Sequence, residues 1–145
     1  MRMMRLSLLC GFLLLVSAAQ PDAPQGGARI DVPFKRQIAG AQCYVGSGAS
    51  AGDAAFGFPA RGLSQALAFT IGPLKNSPGQ ENNKPYSGPG TYPNVGMMAK
   101  SEAGKTIFGY GSIVVNADQQ TGAFAFESNA GKASGSWNCG HPLKH

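Results

Sequence analysis

From Ala28 onward apolar positions recur every second residue, not every third or fourth. Ile30, Val32 and Phe34 fall on one face, with Arg29, Asp31 and Pro33 on the other, which is the period of a β-strand. Pro33 has no N–H to give a neighbouring strand, so it marks an edge or a strand end. Gln37 to Val45 predicts a second strand, with Ala39, Ala41, Cys43 and Val45 sharing a face. Residues 46–58 are rich in Gly, Ala and Ser and interrupt the alternation, as a loop or one short helical turn. Leu63 to Leu74 resumes it through Leu67, Phe69 and Ile71, although Gln65, Ala66 and Leu67 are good helix formers and leave a helix over 63–68 open.

Residues 72–90 hold four glycines and four prolines in nineteen positions. A loop that long in a compact domain is uncommon and tends to be functional or flexible. A short strand is expected over Thr91–Lys100. A stronger one is expected over Lys105–Asn116, where Gly109 and Gly111 mark a bulge or a close backbone approach. Residues 116–122, Asn-Ala-Asp-Gln-Gln-Thr-Gly, read as a turn, because Asn and Asp bond their own backbone and Gly accepts positive φ. Ala123–Glu127 pairs Phe124 with Phe126. The last strand, Lys132–Cys139, sets Ala133, Gly135, Trp137 and Cys139 on one face and Ser134, Ser136 and Asn138 on the other. Many short strands with closely spaced turns predict an all-β chain, an antiparallel β-sandwich of about seven strands.

Residues 1–19 read differently. A basic head (Arg2, Arg5), an apolar run from Leu6 to Val16 and small residues at 17–19 are the parts of a secretory signal peptide, with cleavage after Ala19. The run falls short of the roughly 20 residues a spanning helix needs, so no stable membrane insertion is expected after cleavage. Leu9 precedes Cys10 and the apolar stretch continues past it, so Cys10 does not sit in a lipid-attachment motif. Residues 20–27 are expected to be a disordered lead-in, 28–140 a single domain and 141–145 a tail. The whole chain has a formal net charge of +5; loss of Arg2 and Arg5 leaves ten basic residues against seven acidic ones. Lys35-Arg36 is their only adjacent pair in the domain, and no stripe tracks a phosphate backbone, so nucleic acid is not expected as a partner.

Cleavage also removes Cys10 and leaves Cys43 and Cys139, an even pair bound for an oxidising compartment, the periplasm or the outside. They are expected to form one disulfide.

The segments Gly88-Pro89-Gly90-Thr91-Tyr92 and Gly135-Ser136-Trp137-Asn138-Cys139, with the strand and hairpin between them, resemble a loose group of small, mostly uncharacterised secreted bacterial proteins and lipoproteins. In that group an apolar strand leads into a Gly-Pro-Gly-Thr-Tyr segment and the domain closes on Gly-x-Trp-x-Cys. The resemblance spans about residues 63–140. It implies no catalytic residues.

Candidate chemistry is sparse. Cys139, His141 and His145 have the spacing of a soft metal site, but only if Cys139 is a free thiolate; no metal and no cofactor is expected. Ser47, Ser50 and Ser64 have no histidine nearby in sequence to serve as a base. Asp118 and Glu127 flank one hairpin as a conceivable glycosidase pair, and Asn116 with Asp118 falls short of a calcium ligand set. The better reading is a binding surface: Asn82, Asn83, Lys84, Tyr86 and Tyr92 in or beside the long loop combine aromatic and amide groups suited to a protein or glycan partner. Of Met97 and Met98, one reads as core filler and the other as a soft contact. The expected function is therefore a secreted or periplasmic non-catalytic binding protein. A small enzyme inhibitor presenting residues 72–90 is the alternative, and a hydrolase comes third.

Overall fold

The computed structural model describes residues 22–46, 53–60, 63–128 and 131–143. The expected signal peptide lies outside them. Every regular element among them is a strand: β1 (Gly27–Val32), β2 (Arg36–Ala39), β3 (Gln42–Val45), β4 (Ala54–Ala60), β5 (Leu63–Ile71), β6 (Gly90–Lys100), β7 (Thr106–Val115), β8 (Thr121–Ser128) and β9 (Gly131–Asn138). The all-β class and the disulfide are as expected. The architecture is not a sandwich of about seven strands: these nine join in one antiparallel sheet, ordered β2-β1-β9-β8-β7-β6-β5-β4-β3.

That order has a consequence. β2 and β3 are the two edges of the sheet, yet only Gly40 and Ala41 separate them in the chain. Three residue steps from Ala39 to Gln42 cover at most about 11 Å, so the edges must lie close together and the sheet must curl. Contacts between β2 and β4 show the same approach. Gly40 makes the corner with φ +114°, a left-handed conformation open mainly to glycine, and its N–H bonds Gly26 O at 2.8 Å. Buried Arg36 reaches across the closure, donating Nη1–H to Lys100 O at 2.6 Å.

The corner also corrects the reading of residues 37–45 as one strand. Arg36 and Ile38 point inward and Ala39 is exposed, whereas Cys43 points inward again after the turn. An alternation carried straight through Gly40 puts Ala39 on the wrong face. A similar shift turns Val32 outward, because β1 carries an irregularity against β9 between Ile30 and Val32. The helix alternative at 63–68 is absent, and residues 54–60 form a strand within a segment expected to be irregular.

The inner face holds one core. Trp137 lies edge-on to Phe56, centroids 5.0 Å apart, and Phe56 stacks on Phe69 at 4.5 Å. Gly122 sits beside Trp137 in the register, and a β-carbon there would fall 2.5 Å from the indole. The terminal segments belong to this core. Ala23 is buried ahead of β1, and Leu143 is buried with its N–H bonded to Gln119 O at 2.9 Å. Ala23 of the expected lead-in and Leu143 of the expected tail are thus packed, while Asp22, Gln25, His141 and Pro142 are exposed.

Cys43 of β3 and Cys139, just past β9, form the disulfide, with Cα atoms 5.8 Å apart and a separation of 96 positions in sequence. In the chain-entropy account a loop of that length stabilises the fold by about 4–5 kcal/mol. Replacing both cysteines by alanine is expected to lower the urea midpoint by the equivalent amount without changing the far-UV signature of a β protein. Equal midpoints for the two chains would show that the corner at Gly40 holds the edges together unaided.

Candidate functional site

The five residues expected to form a binding surface separate in the structure. Tyr86 and Tyr92 are buried, with rings 5.8 Å apart. Tyr86 Oη–H donates to Gln119 Oε1 at 2.9 Å; Tyr92 Oη–H donates to Gly88 O at 2.6 Å and accepts from Ser87 N–H at 3.0 Å. Burial first, then the neighbouring Tyr92, push the Tyr86 phenol above its ordinary pKa, so it stays a donor. These buried tyrosines fasten residues 86–92 to the sheet. Asn82, Asn83, Lys84 and Tyr92 do line one cleft of about 590 Å³ between the loop and the start of β6, whereas Tyr86 does not reach it.

The loop is pinned at its middle by Gln80, which is only 2% exposed. Its backbone O accepts from Leu74 N–H and Asn83 N–H, and its N–H donates to Ser77 O. Its side-chain Nε2 donates to Asn94 O at 3.1 Å, which also accepts from Asn83 Nδ2 at 3.0 Å. Asn94 lies in a bulge of β6 between Tyr92 and Val95 with φ +57°, and donates Nδ2–H to Gly79 O at 2.6 Å. Asn tolerates the left-handed region because its short amide bonds locally. Gly96 lets the Gln80 amide lie against β6: a β-carbon there would come within 2.7 Å of Nε2.

Sequence reasoning missed the outer face of the sheet. Gln42, Gly57, Ala68, Met98 and Phe108 are successive register partners across β3 to β7, and Gly96, Tyr110 and Glu127 form a second such row. Together they floor and flank an open trough of about 720 Å³, walled at one end by Leu74, Ser77 and Gln80 of the loop. Tyr44, Phe108 and Tyr110 stand on it at 55%, 69% and 54% exposure. The signal was present in β7, where Phe108 and Tyr110 are apolar on one parity while Ile107 and Ile113 are apolar on the other. Met97 is buried and Met98 faces the trough, dividing the pair as core filler and soft contact.

The other candidates do not assemble. Asp118 and Glu127 lie beyond opposite ends of most of β8, so the strand rise alone separates them by about 20 Å, against less than about 10 Å for a glycosidase pair. Asp118 caps its turn, accepting from Gln120 N–H and Thr121 N–H at 2.9 Å each and from Thr121 Oγ1–H at 2.8 Å. Cys139 is in the disulfide and supplies no thiolate, while His141 is exposed. Ser47, Ser50 and His145 lie outside the described residues. Among the described residues no three His, Cys, Asp or Glu side chains gather to hold a metal. Comparison with known proteins gives no matching family model, no matching curated protein and no matching solved structure.

Two outcomes follow from these contacts. Asn94→Ala removes an exposed side-chain bond that ties the loop to β6; such a bond contributes about 0.5–1.5 kcal/mol net, so amides of residues 77–83 should exchange with deuterium several-fold faster while those of β7 and β8 are unchanged. Burial acts to raise the Asp118 pKa, but the three donors of its turn outweigh it and hold the carboxyl below its ordinary value. A depressed folded pKa contributes stability above the unfolded value, about 3.9, and loses it as pH falls through the folded value. The stability gap between the native chain and Asp118→Asn should therefore be full at pH 5–7 and close below about pH 4; a gap independent of pH contradicts the assignment.

Proposed function

We propose that this chain is an exported, non-catalytic binding protein whose binding surface is the outer trough of the sheet. The single observation that carries the reading is the trough itself: three aromatic side chains held more than half exposed around a floor of Gly, Ala and Met. Burying such side chains is favourable by about 25 cal/mol per Å², so leaving them in water on a monomer marks an interaction surface. Secretion or a periplasmic location is supported by the signal-like residues 1–19 and is compatible with the Cys43–Cys139 disulfide. The resemblance of residues 63–140 to small secreted bacterial proteins points the same way. The ligand is a protein or a glycan.

A second reading keeps a specific observation in its favour. Residues 72–90 are held in one shape by Gln80, Asn83 and Asn94, and a loop ordered in advance binds at lower entropic cost. That is the geometry an inhibitor presenting this loop to an enzyme would use.

One experiment separates them. The chain is purified from the exported fraction, its intact mass read for a start at Gln20, and it is applied to glycan and peptide arrays and to a panel of secreted hydrolases. Alongside it go Phe108→Ser/Tyr110→Ser and a variant with residues 81–85 replaced by a Gly-Ser linker. Array binding lost only in the first variant is the expected result. Hydrolase inhibition lost only in the second transfers the function to the loop.

A further inference from the structure

The geometry points to an uncharged oligosaccharide as the ligand of the outer trough, an assignment that rests on the binding role proposed above. Among the described residues its polar lining is made of amides and hydroxyls, those of Gln42, Gln65, Thr70, Ser77, Gln80 and Ser128, with no lysine or arginine. The one charge, Glu127, is taken up by Lys132, whose Nζ lies 2.7 Å from Oε1 across the β8–β9 pair. Phosphate, sulfate and carboxylate ligands are recognised through Arg and Lys, so the trough lacks the groups an anionic partner needs.

Gln80 supplies an independent observation. Its side chain is almost wholly buried and its Nε2–H is committed to Asn94 O, but among the described residues no donor meets Oε1, which belongs to the trough wall. That oxygen is not sealed from water, and a ligand hydroxyl can take the place of the water that reaches it. A purely hydrocarbon ligand cannot. A sugar ring offers both halves of the match, hydroxyls for the amides and a C–H face for an aromatic ring.

An extended peptide fits less well. Peptides add to a sheet through free main-chain groups at an edge, and β3 is an edge only at the trough's border; the strands that floor it, β4 to β8, are paired on both sides. The ligand is also longer than one sugar. Tyr110 and Glu127 line a second hollow of about 620 Å³, which continues over β7 to β9 beside Ser112, Ala125 and Ser134; its one lysine, Lys132, is the ion-pair partner of Glu127. Tyr110 thus stands between two adjoining depressions, as a platform over which a chain of rings passes.

The test is a titration of the full ¹⁵N-labelled chain, followed by amide shifts, with the hexasaccharides of cellulose, chitin, xylan and laminarin. A heparin hexasaccharide and an extended Ser/Thr-rich decapeptide serve as comparators. Saturable shifts at Tyr44, Gln80, Met98, Phe108 and Tyr110 with at least one neutral hexasaccharide are expected. Phe108→Ala/Tyr110→Ala should weaken that binding at least tenfold and Gln80→Glu should weaken it too; the double variant's unchanged melting temperature shows that exposed groups alone were removed. Trough shifts with the peptide or heparin only overturn the assignment of an uncharged oligosaccharide and leave the binding face standing. Shifts confined to the 82–95 cleft, or none with any probe, overturn both.

Discussion

The rest of this structure depends on joining the first and last strands of one sheet. β2 and β3 are its edges, the chain passes between them through Gly40 and Ala41, and Cys43 is bonded to Cys139 beyond β9. A flat sheet of nine strands would hold its edges about 38 Å apart at the usual strand spacing, a gap two residues cannot cross. Curling is therefore imposed by connectivity, and the right-handed twist of strands makes it accessible. The curl brings inward side chains of distant strands together. Trp137, Phe56 and Phe69 come from strands on opposite arms of the sheet and meet in its middle.

A sheet that closes over its own core needs no second layer, and that leaves its other face to solvent. Along β4 to β6 this face is nearly bare, with Ala55, Gly57, Ala68 and Gly96. The taller side chains, Tyr44, Phe108 and Tyr110, rise at its borders. The long loop then uses the bare ground: Gln80 lies on Gly96, and the bulge at Asn94 aims one carbonyl and one amide at it. The same substitution pattern that lets the loop dock therefore also hollows the trough beside it.

Much of the strand content was legible in the sequence because it rests on local alternation. β5 through Leu67, Phe69 and Ile71, and β9 through Ala133 and Trp137, show the inward face that their period predicts. The Asp118 turn was legible because its chemistry is local as well. What failed was whatever depends on a change of parity or on a distant partner. Ala39 was placed beside Cys43 because nothing in Gln37–Val45 but Gly40 announces a corner. β4 was missed because Ala54, Phe56 and Phe58 alternate with Ala and Gly, which reads as a loop until β5 pairs with them. Tyr86 and Tyr92 read as surface residues because loop composition does not reveal the partners, Gln119 and Gly88, that hold their hydroxyls. Phe108 and Tyr110 were passed over because an apolar residue is assumed to face inward, and only the single-layered sheet shows that these do not.

The register of β1 has a bearing on how the chain acquires its shape. β3 to β9 follow one another as a meander, so each of those strands finds its neighbour soon after it is made. β1 has β2 nearby but shares its other side with β9, between residues 27–32 and 134–138. That pairing spans most of the chain, and contacts so distant in sequence are slow to form because loop closure must come first. The N-terminal hairpin is therefore an unfinished edge until β9 is available to pair with it. A chain cut short before β9 would lack both that pairing and the Trp137 that fills the middle of the core.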